Sequence, residues 1–302
     1  RTYQRILPLI PPERIYVVTG AKYLNLVQKQ LPQLPRQNLI GEPRGHNTAP
    51  CIGLAALHLA RRDPGGIMLS LHADHIIEHE GEFRELLVAA AQMAEQGHLV
   101  TLGIVPDYPE TGYGYIHQGE KLGEVRGRPV FRVRRFTEKP DADTAQRFLA
   151  SGEYFWNSGM FLWRLNVILK EFSQHLPRLS GQLEEIGEAL GTEQETEVLE
   201  RVWADVEDIS IDEGIMERAQ DVVVMPADIG WNDVGSWATV GELLPHDATG
   251  NAIRGEYLGV DTANCVIHSS GRLVATIGLK GMVIVDTPDA LLVCPRGRAQ
   301  EV

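Results

Sequence analysis

The sequence has 302 residues, of which 43% are hydrophobic and 23% charged, proportions typical of a soluble globular protein with a substantial core. The net charge of −13 argues against a nucleic-acid-binding surface, which would need a basic footprint, but it permits binding of a phosphorylated small molecule. No apolar stretch is long enough to cross a bilayer, and the three widely separated cysteines indicate a reducing, cytoplasmic location rather than a zinc or disulfide framework.

Strand and helix patterns alternate over the first third of the chain. We predict strands at 15–20, 38–43, 67–71 and 99–105 and helices at 21–30, 47–62 and 82–96. Asn47 or Thr48 can cap the second of these helices, and Pro50 fits its first turn, where no backbone donor is needed. The alternation predicts an α/β fold with a mainly parallel or mixed sheet and helices on both faces.

The segment 67–75 carries the strongest chemical signal of this region. Its apolar run ends in Asp74, which is flanked by two histidines, as expected where a buried strand stops at a polar loop. Ligands of open α/β sheets collect at the carboxyl ends of such strands, so Asp74 is a candidate metal or phosphate ligand. On these residues alone, Asp74 could equally well cap the following helix.

The rest of the chain is less regular until residue 251. Strands are predicted at 131–136 and 222–226 and helices at 141–152, 166–176 and 183–203, the last with an acidic, solvated face. Short strand patterns without helices then follow near 260 and at 265–268, 273–276, 282–285 and 290–293. We therefore predict an α/β domain over 1–248 and a small β domain over 249–302, either β-helix-like or a dimerisation element.

Five polar, glycine-containing segments fall at predicted strand ends, and a sixth lies beyond them. They are 42–50 (EPRGHNTAP), 72–75 (HADH), 110–116 (ETGYGYI), 137–140 (TEKP), 156–161 (WNSGMF) and 230–237 (GWNDVGSW). Together and in this order, they resemble the motifs of the nucleotidyltransferases that make nucleotide sugars, and more narrowly those that transfer a guanylyl group to mannose 1-phosphate. The resemblance covers most of residues 15 to 290 and implies a Rossmann-like fold.

The chain departs from that family in two places. The family's nucleotide-binding loop, a Gly-Gly-x-Gly-Thr-Arg-Leu type signature followed by a lysine, is missing, and we expect it to precede Arg1. Without the loop, this polypeptide would bind a sugar phosphate but would not catalyse the transfer reaction. His72 stands where the family often has proline, and we expect it to perturb the turn only locally.

The resemblance implies a magnesium site. Nucleotidyl transfer needs negative charge neutralised on the phosphates, and Mg²⁺ held by one or two carboxylates is the usual agent. By resemblance, Asp74 and Asp233 are the metal ligands and are catalytic. The alternative is that they belong to two unrelated surface turns. The histidines lack metal-ligand spacing on a helix and a partner cysteine, so we set zinc aside.

The sugar phosphate is expected to meet three of the motifs. By resemblance, Glu138 accepts hydrogen bonds from sugar hydroxyls, and Lys139 meets the sugar phosphate and is catalytic; a lone Glu-Lys-Pro would be an exposed turn. The remaining expected contacts are Gly112, Tyr113, Gly114, Asn157, Ser158 and Gly159. Alternatively, residues 112–114 form an ordinary hairpin turn. Asn157 offers a donor and an acceptor to hydroxyls. The aromatic run Tyr154, Phe155, Trp156, Phe161 and Trp163 is interpreted as core.

Two further segments carry weaker expectations. By resemblance, the segment 42–50, with Glu42, Asn47 and Thr48 as binding residues, lies beside the nucleotide base, and it leads into a helix N-terminus with free amides. The segment 210–217 resembles an Ile-Ser-x-Asp-x-x-x-Met-Glu pattern of the family. Its Asp212 could contact the active site, but we favour a structural role as a helix cap.

The resemblance implies a transferase that makes GDP-mannose and pyrophosphate from GTP and α-D-mannose 1-phosphate, with Mg²⁺ as cofactor. The sugar phosphate would attack the α-phosphorus in line, with no covalent enzyme intermediate. We also expect a homodimer, with no nucleic-acid or membrane partner. Two alternatives stay open: another sugar-1-phosphate nucleotidyltransferase, using glucose 1-phosphate with UTP or dTTP, or a non-catalytic regulatory subunit that binds nucleotide sugars.

Overall fold

The computed structural model describes all 302 residues. The helices are α1 (Thr2–Ile6), α2 (Leu24–Gln30), α3 (Thr48–Ala60), α4 (Glu80–Glu95), α5 (Ala142–Ser151), α6 (Leu165–His175), α7 (Pro177–Ala189), α8 (Glu195–Trp203) and α9 (Trp237–Glu242). The strands are β1 (Val17–Gly20), β2 (Leu39–Glu42), β3 (Ile67–Ser70), β4 (Ile76–Ile77), β5 (Leu99–Ile104), β6 (Tyr115–Val125), β7 (Arg128–Thr137), β8 (Tyr154–Arg164), β9 (Val222–Ala227), β10 (Trp231–Asn232), β11 (Ala252–Arg254), β12 (Tyr257–Val260), β13 (Val266–Ser269), β14 (Val274–Ile277), β15 (Met282–Asp286) and β16 (Leu291–Pro295). None of the helices is both long and apolar enough to cross a membrane.

The chain folds as two compact units. The first comprises Arg1–Ala73 and Ile77–Trp231, and the second comprises Asp74–Ile76 and Asn232–Val302. The domain boundary near residue 248 stays a prediction, since the change of unit in the structure comes between Trp231 and Asn232.

The first unit is built on a six-stranded sheet in the order β3-β8-β5-β9-β7-β6. The predicted α/β fold is confirmed, and the sheet is mixed: β5 and β9 run parallel, whereas β8 runs antiparallel to both β3 and β5. The sheet is mixed rather than mainly parallel because β8 inserts between β3 and β5, which the alternation of strands and helices would place side by side. A separate parallel pair, β1 and β2, carries Glu42 at its carboxyl end.

Helices cover both faces of this sheet, as the sequence predicts. One core packs α4 residues such as Phe83 and Leu86 against Val100 and Leu102 of β5. The other packs residues of α3, α6, α7 and α8 against Leu99. Alternate residues of β5 thus face opposite cores, which is why the whole strand is buried.

Several predicted element ends are confirmed. Asp141 caps α5 by accepting a hydrogen bond from the backbone N–H of Thr144 at 2.7 Å, and the helix ends at Gly152 in the left-handed conformation.

The predicted helix 183–203 is two helices, α7 and α8, separated by a turn. The sequence interpretation missed β6 and treated the aromatic run that forms β8 only as core.

The second unit is almost entirely β-structure, as predicted. Strands β11, β13 and β15 stack in parallel, with Ala252 opposite Val266 and Val266 opposite Val283, and β12 pairs in parallel with β14. The antiparallel strand β16 closes one end of the four-stranded sheet. Parallel strands at such short spacing form the turns of a coil, whose interior buries Ile267 and Ile284.

Candidate functional site

Three of the predicted motifs meet at Gly114, which lies just before β6. A Cβ atom placed on Gly114 would be 2.6 Å from Oε2 of Glu138, at the end of β7, and 3.4 Å from Cβ of Asn157, within β8. The backbone N–H of Asn157 donates to the backbone carbonyl of Gly114 at 2.7 Å. The strands therefore bring Gly114, Glu138 and Asn157 together, and a side chain at position 114 would displace the Glu138 carboxylate from its observed place.

The Asn157 carboxamide is fixed at both ends. Its Oδ1 accepts a hydrogen bond from the Gly159 backbone N–H at 3.1 Å, and its Nδ2 donates to Oδ1 of Asp212 at 2.6 Å. The sequence interpretation gave Asn157 both a donor and an acceptor for ligand hydroxyls. In the structure the second N–H of Nδ2 and the second lone pair of Oδ1 remain for a ligand.

Acidic side chains surround this cluster. Burial raises the pKa of Asp212, against the hydrogen bond from Asn157 and the electrostatic effect of the nearby His72 ring, which both lower it. Partial desolvation raises the pKa of Glu138 as well, against the attraction of Lys139 and with the negative charge of Asp212 adding to the rise. Hydrogen-bond donors or a cation placed here would relieve this crowding of negative charge.

Lys139 follows Glu138 in a strained backbone conformation. Its φ of 40° lies in the left-handed region, which is unfavourable for a lysine, and Pro140 comes next. Its Nζ lies 3.8 Å from Oε1 of Glu138, and both side chains are more than half exposed. This turn therefore holds a cation and a carboxylate side by side at the mouth of the cluster.

Gly159 and His72 extend the same cluster. A Cβ atom on Gly159, whose φ is 64°, would lie 2.5 Å from Nε2 of the His72 ring. His72 was expected to perturb only its own turn. Its ring lies against β8 and close enough to Asp212 to lower the pKa of that carboxyl. His72 thus adjoins the binding cluster, and the local extent of its effect on the turn stays a prediction.

Other predicted binding groups are engaged within the protein. The Gly112 backbone N–H donates to Oε1 of Glu110 at 2.7 Å, and the buried Tyr113 ring packs edge-on against Trp156 and Trp231. The Ser158 hydroxyl is buried and donates to the Leu102 carbonyl at 2.6 Å. These groups hold the cluster in place, and their contact with a ligand stays a prediction.

The aromatic run around β8 is core, as predicted. All of its members are buried: Tyr154, Phe155, Trp156, Phe161 and Trp163.

The segment 42–50 places a carboxylate in an unusual environment. Glu42 is only 7% exposed, and its Oε1 is buried without a hydrogen-bond partner. Burial raises the pKa of Glu42 to about 7. Burial also raises the pKa of the Cys51 thiol, in the first turn of α3, and the negative charge of Glu42 adds to that rise.

The amides that begin α3 are occupied, so the expectation of free amides there is wrong. The Thr48 N–H donates to Oδ1 of Asn47 at 2.9 Å, and the Ala49 N–H donates to the Ile209 carbonyl at 3.1 Å. Pro50 has no N–H. The Thr48 hydroxyl accepts from the Ile211 N–H at 2.8 Å, so the helix start is tied to the segment that carries Asp212.

The two predicted metal ligands, Asp74 and Asp233, both fall in the second unit. An oxygen of Asp74 and a ring nitrogen of His75 lie within 4.8 Å of each other. Oδ1 of Asp233 accepts the Gly235 N–H at 2.9 Å, in a turn where Val234 has a φ of 56°. The Asp74 carboxylate suits Mg²⁺, and the neighbouring histidine nitrogen is a donor that softer divalent metals accept, so Asp74 and His75 fit a divalent cation.

Sequence reasoning missed two members of the cluster, Asp212 and His72. The Ile-Ser-x-Asp-x-x-x-Met-Glu pattern signals Asp212, but a single aspartate before a helical segment is most simply a cap. His72 stood out only as a departure from the family pattern.

Comparison with known proteins identifies two matching family models. Residues 7–249 match the nucleotidyl transferase model, and residues 255–302 match the model described as a MannoseP isomerase/GMP-like beta-helix domain.

Individual relatives agree with these models. The chain is 42% identical over 291 residues to a mannose-1-phosphate guanylyltransferase of Escherichia coli (strain K12), covering 95% of this chain and 61% of the relative. It is also 42% identical over 290 residues to a xanthan biosynthesis protein of Xanthomonas campestris, covering 95% of this chain and 60% of that protein. The chain therefore spans about three fifths of the length of these curated relatives.

Among solved structures, the fold matches a protein of Thermus thermophilus described as a mannose-1-phosphate geranyltransferase. The TM-score is 0.85 at 32% identity, and the match covers 99% of this chain and 85% of that protein.

Proposed function

Because the chain belongs to the nucleotidyl transferase family, we propose that it forms part of an enzyme that converts GTP and α-D-mannose 1-phosphate into GDP-mannose and pyrophosphate. The observation that carries the proposal is the convergence of Gly114, Glu138 and Asn157, three separate motifs of the resemblance, in one cluster. The names of the relatives supply the substrate pair.

The sugar phosphate is assigned to this cluster. Glu138 accepts hydrogen bonds from sugar hydroxyls, the remaining N–H of Asn157 donates one, and Gly114 allows the sugar to approach the backbone. Lys139 contacts the phosphate as a compact positive charge, and its strained backbone holds it at the mouth of the cluster. Together these residues orient the attacking phosphate oxygen for in-line displacement.

The nucleotide is assigned to the segment 42–50, through Glu42, Asn47 and Thr48. Glu42 offers a buried carboxyl whose oxygen lacks a protein partner, which is the condition in which a ligand N–H would gain most from pairing with it. The occupied amides of α3 argue for base or ribose contacts here rather than for phosphate binding.

Asp74 and Asp233 would hold Mg²⁺, as their carboxylate oxygens suit a hard cation. When bound, the ion would neutralise charge on the phosphates during transfer. The metal identity, the residue roles and the predicted cytoplasmic location stay predictions.

The test is pyrophosphate release by the protein as its gene encodes it, with Mg²⁺, across GTP, UTP, dTTP and ATP paired with mannose 1-phosphate or glucose 1-phosphate. Release confined to GTP with mannose 1-phosphate supports the proposal. Release with glucose 1-phosphate and UTP or dTTP would change the assigned substrates but leave the reaction class unchanged. No release from folded protein, together with nucleotide-sugar binding, would favour the regulatory subunit.

We also propose a homodimer formed through the second unit. Strand β16 is an edge strand, and its Leu291 and Val293 are each more than half exposed, so its backbone and apolar side chains are available for pairing. Light scattering should give twice the chain mass of 33.5 kDa. A monomer at micromolar concentration would overturn this assignment.

A further inference from the structure

Asp212 is held in the binding cluster by an uncommon backbone feature. Residues Asp212–Met216 form a π-helical turn, in which the Glu217 N–H donates to the Asp212 carbonyl at 2.9 Å. Ile211, Ile215 and Met216 are buried in the core beneath this turn. The turn is thereby anchored, and such single π turns are frequent at functional sites.

The Asp212 carboxylate decides which way the Asn157 carboxamide faces. With Nδ2 toward Asp212 and Oδ1 toward the Gly159 N–H, both contacts are favourable. A flipped carboxamide would set Oδ1 against the carboxylate and Nδ2 against the N–H, so both contacts would become repulsive. In the observed orientation Nδ2 lies 3.7 Å from the Cβ position of Gly114, above the glycine of the cluster.

We propose that Asp212 is a positioning residue for sugar-phosphate binding, acting through Asn157. This inference rests on the proposed function and deepens it. Asp212 fixes the Asn157 carboxamide so that its second N–H faces the space beside Gly114 and Glu138, where a sugar hydroxyl would accept it. Asp212 itself need not touch the ligand.

A merely structural role makes different predictions. If Asp212 only stabilised its own turn, its removal would lower the stability of the protein and raise KM for GTP and KM for mannose 1-phosphate by similar factors. Positioning through Asn157 instead affects the sugar phosphate selectively and depends on Asn157 being present.

The kinetic test is a double-mutant cycle in the full protein. Asp212→Ala should raise KM for mannose 1-phosphate by up to about tenfold, the effect of losing one hydrogen bond between neutral groups, here the bond from Asn157 to a sugar hydroxyl, and leave KM for GTP unchanged. Asp212→Asn, whose amide oxygen can accept the same bond, should restore most of the affinity. In an Asn157→Ala background, Asp212→Ala should add no further loss. The matched control is Glu213→Ala, which removes an adjacent exposed charge that makes no bond to Asn157.

A second measurement needs no substrate. In side-chain amide NMR spectra, the Asn157 NH₂ group should give two well-separated signals, one of them slow to exchange with solvent, in the wild type and Asp212→Asn but not in Asp212→Ala. An unprotected Asn157 amide in the wild type would overturn the inference whether or not the enzyme is active. Equal losses for both substrates, or additive losses in the double variant, would overturn it while leaving the proposed reaction standing.

Discussion

Replacement of Glu42 by glutamine should increase the stability of the protein relative to the wild type as the pH rises from 5.5 to 8. The wild-type carboxyl is 7% exposed and has an oxygen without a partner, so ionising it in the folded state leaves a poorly compensated buried charge. Glutamine has nearly the same shape and cannot ionise. Any cost of burying its neutral amide does not vary with pH, so the pH dependence isolates the charge.

The size of the effect follows from the pKa of Glu42, about 7 against an ordinary value of 4.5. Between these values the folded state holds a proton that the unfolded state has lost, so wild-type stability falls as pH rises through this window. The difference corresponds to about 3 kcal/mol once the pH exceeds 7. About 2 kcal/mol of this should develop between pH 5.5 and 8.

Urea unfolding followed by tryptophan fluorescence measures this difference, because four of the five tryptophans lie in the first unit, which contains Glu42. The Glu42→Gln advantage should grow from pH 5.5 to 8, and Glu120→Gln, an exposed site on β6, should show no such growth. Parallel pH profiles for the wild type and Glu42→Gln would refute the reasoning. The same variant should raise KM for GTP if Glu42 binds the nucleotide.

Two other sets of variants test the candidate site. Gly114→Ala would place a Cβ atom 2.6 Å from Glu138 Oε2, and it should raise KM for mannose 1-phosphate at least about tenfold with little change in thermal stability. The control is Gly81→Ala, whose added Cβ atom meets no atom within 4 Å. An unchanged KM for mannose 1-phosphate in Gly114→Ala contradicts the assignment. Asp74→Ala and Asp233→Ala should each lower turnover by roughly a hundredfold or more without loss of circular dichroism. The exposed Asp228→Ala should keep full activity, and near-full activity of either metal-ligand variant would remove that residue from the proposed metal site.

Local signals in the sequence predicted local features of the structure well. The Asp141 cap, the end of α5 at Gly152 and the burial of the aromatic run each depend on neighbouring residues, and each is confirmed. Gly114, Glu138 and Asn157 were also predicted as binding positions at strand ends. The structure brings the three residues together, but Asn157 lies within β8 rather than at its end.

Features that depend on distant partners could not be predicted in this way. The bond that gives Asp212 its significance is to Asn157, 55 residues earlier, whereas capping is a local explanation for the same aspartate. The Ala49 amide looked free because its partner, the Ile209 carbonyl, is even more remote in sequence. The aromatic run that forms β8 indicates burial, and both faces of the strand are buried, but the run does not specify that β8 inserts between β3 and β5.

The insertion of β8 between β3 and β5 also sets the order in which the protein can assemble during synthesis. Strand β5 pairs with β8 on one side and with β9 on the other, so neither edge of β5 is covered until residues 154–164 and then 222–227 have left the ribosome. Until then the nascent chain exposes apolar strand edges that favour aggregation. The central sheet therefore closes late, through contacts between remote parts of the chain, and such contacts make folding slow.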